Sequence, residues 1–284
     1  MTEQEELIET ITRRVLAELD RDPEKECADC HGSCASHCPD KVRCLVDEGA
    51  ERIAYNGRGG DIPADIASYI DHTLLGPGTT GPQIDRLCEE ASRYNFAAVC
   101  VNPMWVRRAQ ENLRGSKVRI ASVVGFPLGA NATEIKVMEA RRALREGARE
   151  IDMVINVGLL KQGDYEAVQQ AIARVADCCR EVGAVCKVII EAALLTDEEK
   201  VIACQLAQAA KADYVKTSTG FGPGGATVYD VALMRETVGP AMGVKASGGI
   251  KTAGDAEQMI TAGATRIGAS AGISIIGANG GDDG

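Results

Sequence analysis

The chain has 284 residues, 45% of them hydrophobic and 25% charged, and a formal net charge of -10. That size suits one large domain or a domain with an appendage, in the composition of an ordinary globular protein. The acidic balance argues against nucleic acid as a general partner, and no apolar run reaches the ~18 residues needed to cross a bilayer.

The N-terminus, Met1-Thr-Glu-Gln-Glu-Glu6, is acidic and lacks the apolar core of a secretory signal, so a cytoplasmic protein is expected. Residues 3–20 then read as a helix. Thr2 and Glu5 form a capping box, and Leu7, Ile8, Ile11, Val15, Leu16 and Leu19 fall on one stripe before Asp22-Pro23 ends the pattern. Residues 1–22 are therefore set apart as an amphipathic helix.

Residues 23–61 are rich in cysteine and then in glycine, ending in the linker-like Asn56-Gly-Arg-Gly-Gly60. Five of the 11 cysteines lie between Cys27 and Cys44. Cys27, Cys30, Cys34 and Cys38 could close one tetrahedral zinc site or hold an iron–sulfur cluster, with His31 and His37 as alternative nitrogen ligands. Their spacing matches neither the paired zinc knuckle nor the bacterial ferredoxin run. The metal stays open, and reactive surface thiols are the competing reading. Cys88, Cys100, Cys178, Cys179, Cys186 and Cys204 sit in apolar stretches and read as core filler.

From residue 62 to 276 strands alternate with helices. Strands are expected at Tyr69–Asp71, Ala97–Val101, Arg119–Val124, Glu150–Ile155, Cys186–Ile190, Tyr214–Lys216, Gly243–Lys245 and Arg266–Gly268. Helical patterns between them include Thr133–Glu146, Asp164–Val182, Thr196–Ala210, Val228–Val238 and Thr252–Ala262, with Gly147 and Gly263 as C-caps. Short strands that are apolar on both faces are covered by helices on both sides. The order predicts a (β/α)8 TIM barrel, with a doubly wound open sheet as the alternative. The barrel is favoured because candidate functional residues come from several strand ends. Residues 277–284 read as a flexible tail.

Two lysines end buried strands in Val215-Lys-Thr-Ser-Thr-Gly220 and Gly243-Val-Lys-Ala-Ser-Gly-Gly249. Burying a lysine is costly unless its charge is paired, shifted or used. Only roughly one unperturbed lysine amine in 2,500 is neutral at pH 7. A second ammonium about 5 Å away, at an effective dielectric of about 20, costs roughly 3 kcal/mol and favours the neutral amine. Lys216 and Lys245 thus have the logic of a Schiff-base lysine activated by a cationic neighbour, with ion pairing at the barrel mouth as the alternative. Asp152 lies inside a strand, either as an acid/base group or as a counter-charge to a lysine. Gly248 and Gly249 after one strand, and Gly268 and Ser270 at the next, make a phosphate-site pattern, with ordinary tight turns as the alternative. Lys251 is a further candidate phosphate contact.

The stretch from Ile66 to Ile276 resembles the deoxyribose-phosphate aldolase family. The matching pieces are Ile70-Asp-His-Thr-Leu74, Ala98-Val-Cys-Val-Asn-Pro103, Val124-Gly-Phe-Pro-Leu-Gly129, Glu150-Ile-Asp-Met-Val-Ile-Asn156, Val215-Lys-Thr-Ser-Thr-Gly-Phe221, Gly243-Val-Lys-Ala-Ser-Gly-Gly249 and Arg266-Ile-Gly-Ala-Ser270. They stand in family order. The resemblance implies a class I aldolase that needs no cofactor for catalysis. It would split 2-deoxyribose 5-phosphate to acetaldehyde and glyceraldehyde 3-phosphate, or join them, and would often form a homo-oligomer. By motif, Lys216 forms the Schiff base, Lys245 perturbs it, Asp152 joins the proton relay, and Gly220, Gly248, Gly249, Gly268 and Ser270 hold the phosphate. Some members carry a tyrosine in the tail for proton transfer. Residues 277–284 contain none, which leaves enamine protonation to Asp152 and water.

Residues 3–20 resemble the encapsulation peptides that dock cargo enzymes to bacterial microcompartment shells. An amphipathic helix presented to a groove would do this, and enclosing a volatile aldehyde gives a reason for it. Folding back on the barrel or pairing in an oligomer are the alternatives. A membrane-surface role is disfavoured because the polar face is more acidic than basic. Two competing functions remain: a Schiff-base aldolase for another phosphorylated sugar, and an idle barrel serving as a microcompartment assembly module.

Overall fold

A computed structural model describes residues 65–277. The helix expected at 3–20, the segment with Cys27, Cys30, Cys34 and Cys38, and residues 278–284 lie outside the described residues.

Eight strands carry the fold: β1 Ile70–Leu74, β2 Ala98–Val101, β3 Arg119–Val124, β4 Glu150–Val154, β5 Val185–Ile189, β6 Tyr214–Lys216, β7 Gly243–Ser247 and β8 Arg266–Ala269. Each pairs in parallel with the next, and β8 returns to β1, so the sheet closes into a barrel. The described helices are α1 Gly81–Arg93, α2 Val106–Asn112, α3 Thr133–Glu146, α4 Val157–Lys161, α5 Tyr165–Arg180, α6 Asp197–Ala209, α7 Val228–Val238, α8 Ala253–Thr261 and α9 Gly272–Ile275. This is the expected (β/α)8 architecture, and it rules out the open sheet.

Strand alternation sorts the side chains. Val99, Ile120, Ile151, Met153, Val188, Val215 and Val244 point outward and join the helices in one continuous apolar core. The inward positions divide in two. Ala98, Cys100, Ala121 and Val123 form a small apolar cluster with Leu75 and Phe126 on the β2–β3 side. Inward positions on β1 and from β4 to β7 carry Asp71, Glu150, Asp152, Lys187, Lys216, Lys245 and Ser247, all buried. Cys100 thus lies inside the barrel rather than beneath the helices.

Helix ends follow their local chemistry. Thr196 and Glu199 close a capping box on α6, and Asp164 caps α5 by accepting from Ala167 N. Gly147, at φ 121°, caps α3 as the sequence predicts. Two strands differ from expectation by more than one residue at an end. Tyr69 belongs to a 3-10 turn, Ile66–Tyr69, and β1 instead runs on through His72 and Thr73. Those polar residues hide the strand in the sequence, yet the His72 Nε2 finds the Glu90 carboxylate outside the sheet at 2.8 Å. β7 likewise continues to Ser247, which pairs in register with Gly268.

One buried amine serves the scaffold. Lys136 on α3 is 1% exposed and donates to the Val154 carbonyl at 2.8 Å, tying α3 to the end of β4. Burial pushes its pKa down from 10.5 to about 8, against the pull of Glu139. The folded state therefore binds fewer protons than the unfolded chain between those two values, so this group's contribution to stability rises with pH across that window and is a penalty below about 8. Lys136→Met should remove that rise. In denaturation curves from pH 7.5 to 10.5, wild type should gain on the variant by up to about 3 kcal/mol. Parallel stability profiles would contradict the assignment.

Candidate active site

The polar half of the barrel converges on one carboxylate. Asp152, in the middle of β4, accepts from Lys216 at 2.8 Å and from Lys245 at 2.7 Å, both on Oδ2, and from Lys187 at 2.9 Å on Oδ1. Strand register explains the meeting. Asp152 is level with Lys187 on β5, and Lys216 on β6 is level with Lys245 on β7. A second tier continues the lattice. Asp71 on β1 accepts from Lys245 and, at 2.7 Å, from Arg266 on β8. Glu150 pairs with Lys187 and reaches Arg266 at 3.3 Å. Arg119 approaches Glu150 at 3.5 Å from the barrel's edge, where its side chain is 56% exposed.

The electrostatics follow from this packing. Burial opposes charge on Asp152, yet Lys187, Lys216 and Lys245 hold its carboxyl well below the usual range. The same contest holds Asp71 below its ordinary value, with Lys245 and Lys187 outweighing burial. Burial also works against the ammonium groups. Asp152, Glu150 and Asp71 nevertheless keep Lys187 well above the lysine range, and Asp152 and Asp71 keep Lys245 above it. The Cys100 thiol, inside the barrel, is pushed up by burial first and by Asp152 second.

A cavity of about 310 Å³ opens at the C-terminal ends of the strands. Of the three lysines on Asp152, Lys216 alone lines it. Lys245 and Asp152 lie beneath. Gly220, Gly248, Gly249, Gly268 and Ser270 all line the same cavity, as does Lys251, so every residue expected to hold phosphate is brought to one place. Gly248 and Gly249 have φ of 89° and 85°, values that side-chain-bearing residues rarely adopt. The connection after β6 packs backbone to backbone on this turn. A Cβ on Gly225 would lie 2.3 Å from the Gly248 carbonyl oxygen, and Ala226 N donates to the carbonyls of Ser247 and Gly248 at 3.1 and 3.0 Å.

Sequence reasoning missed Lys187, Asp71, Glu150 and Arg266. Lys187 and Glu150 carried the signal that exposed Asp152, a charged residue inside an apolar strand, and Glu150 also stands two residues from Asp152 on the same face. It also gave no role to Thr73, Thr219 and Ser247 in the cavity wall, although each lies within one of the quoted motifs. Chemically, an amine at the floor of a cavity and above a fixed carboxylate can add to an aldehyde, with proton donors and acceptors in contact.

Comparison with known proteins follows the geometry. Residues 66–279 match the model of the DeoC/LacD family aldolases. A deoxyribose-phosphate aldolase of Geobacillus sp. (strain WCH70) is 59% identical over 212 residues, 75% of this chain and 95% of the relative. One from Thermococcus gammatolerans is 59% identical over 214 residues, again 75% of this chain and 95% of the relative. Among solved structures, a tetrameric deoxyribose phosphate aldolase from Aeropyrum pernix superposes with a TM-score of 0.72 at 35% identity, covering 83% of this chain and 97% of that one. With its barrel closed around the cage and its matched span running through all eight strands, the chain belongs to the DeoC/LacD family of aldolases.

Proposed function

We propose that this chain is a Schiff-base aldolase that reversibly cleaves 2-deoxyribose 5-phosphate to acetaldehyde and glyceraldehyde 3-phosphate. The observation that carries the reading is that Lys216 shares the Asp152 carboxylate with Lys187 and Lys245 yet is the lysine of that group that reaches the cavity. Around it Lys187 also pairs with Glu150, and Lys245 and Arg266 with Asp71. Of the amines on Asp152, Lys216 is the one placed to meet a carbonyl substrate, with the Lys245 ammonium beside it.

The neutral amine attacks the C1 carbonyl of the open-chain sugar, and the carbinolamine loses water to give an iminium. A base takes the proton from the C3 hydroxyl, the C2–C3 bond breaks, and its electrons flow into the iminium to form an enamine. Glyceraldehyde 3-phosphate departs. Protonation at C2 and addition of water release acetaldehyde and restore the amine. Asp152, in contact with Lys216, is assigned the proton transfers around nitrogen. Lys245 keeps a fixed positive charge beside them. Gly220, Gly248, Gly249, Gly268 and Ser270 are assigned to the phosphate, which amides of glycine turns can approach closely. Following glyceraldehyde 3-phosphate release through a linked dehydrogenase tests the assignment. Lys216→Arg should abolish turnover, and Asp152→Asn should lower kcat by roughly 100-fold or more. Normal turnover by the Lys216 variant would overturn it.

We infer further that the enzyme works in the cytoplasm as a homo-oligomer, a reading supported by the tetrameric Aeropyrum pernix relative. Cys27, Cys30, Cys34 and Cys38 are assigned to a structural zinc or iron–sulfur site that the barrel chemistry does not need. The stripe at 3–20 is assigned to docking on a microcompartment shell protein, which would hold the volatile aldehyde close to its source. Deleting residues 1–22 should leave turnover intact and abolish co-sedimentation with purified shell assemblies. Retained co-sedimentation would refute the docking role, and lost turnover would place the extension in the catalytic unit.

A further inference from the structure

The connection from β5 to α6 holds a buried acid that the chemistry above leaves unused. Glu191 stands two residues beyond β5 and is 4% exposed. Its backbone is left-handed, at φ 55° and ψ 62°, a strained conformation for a residue with a side chain. Such strain persists where the surroundings over-determine it, and often at functional sites.

Here the surroundings are the connection from β6 to α7. The Glu191 carboxylate accepts the backbone N–H of Thr219 at 3.3 and 3.4 Å, and it accepts the Thr219 hydroxyl. The Thr219 oxygen in turn accepts the N–H of Phe221 at 3.1 Å. Gly222 leaves the carboxylate its room, since a Cβ there would lie 2.9 Å from the carboxyl carbon. Next to it, Ala192 N donates to the Thr217 carbonyl at 2.8 Å. The side chain is thus clamped on a segment whose Thr219, Gly220 and Phe221 form one wall of the cavity, while Glu191 itself does not line it.

We propose that Glu191 is a positioning residue. By accepting both donors of Thr219 it sets the Thr219–Phe221 wall in the shape that receives the phosphate-bearing end of the substrate. The inference rests on the Schiff-base reading of the site. Its contribution is that of an acceptor held in place. It therefore acts on binding of the phosphorylated substrate and not on the amine chemistry at Lys216.

Steady-state kinetics on 2-deoxyribose 5-phosphate and on unphosphorylated 2-deoxyribose test this. Glu191→Gly removes the clamp while suiting the left-handed backbone, so the fold tolerates it better than Glu191→Ala. In the glycine variant KM for the phosphorylated sugar should rise about tenfold or more, kcat should stay within about threefold, and kcat/KM for the unphosphorylated sugar should stay within about twofold. Glu191→Gln keeps an acceptor oxygen and should recover most of the wild-type KM. Equal losses on both sugars, an unchanged KM in the glycine variant, or a glutamine variant as impaired as the glycine one would overturn the proposal. Wild-type enzyme inactive on both sugars would instead defeat the Schiff-base reading beneath it.

Discussion

One carboxylate with three ammonium groups organises the interior of this barrel. Asp152, Lys187 and Lys245 are wholly buried and Lys216 nearly so. Removing such charges from water costs several kcal/mol per ion, and only close pairing recovers it. The recovery requires all partners at once. Taking one away leaves an unpaired buried charge, typically a loss of about 3–5 kcal/mol. The cage is therefore a constraint on the whole fold. Four neighbouring strands must hold their register for the amines to meet one carboxylate, and closure through β8 to β1 brings Arg266 and Asp71 into the same lattice.

The division of the interior supports the chemistry. The β2–β3 side is lined with small apolar side chains, and the opposite side with paired charges. Of the apolar group, Leu75 reaches the cavity that Lys216 lines. Above this floor the strand ends supply loops shaped by backbone contact. Gly225 against Gly248 brings the connections after β6 and β7 together with no side chain between them, and Glu191 holds the first of these from the β5 side. Positioning thus passes outward from rigid strands to the turns, as a preorganised site requires.

Much of this was legible in the sequence, for identifiable reasons. Apolar runs of strand length marked the barrel, and the glycines after Lys216 and Lys245 marked the ends where ligands bind. Asp152 stood out as a charge inside an apolar strand. Lys187 broke the pattern in the same way, but no glycine turn follows it and nothing local ties it to Asp152. Asp71 and Arg266 lay at the ends of their expected strands, where a charge ordinarily marks the edge of an element. Their pairing spans 195 positions and exists only after closure. The Glu191 clamp was hidden for another reason. It depends on a left-handed residue and on a neighbouring connection 28 positions away, neither of which propensity or spacing reports.

The claim on which the account stands is that the amine of Lys216 forms a covalent imine. Borohydride reduction in the presence of acetaldehyde, followed by peptide mass spectrometry, tests it directly. The account predicts an ethyl adduct on Lys216 that is absent when aldehyde or borohydride is omitted. An unmodified Lys216 in folded protein, with no adduct or with the adduct on Lys187 or Lys245, would contradict it.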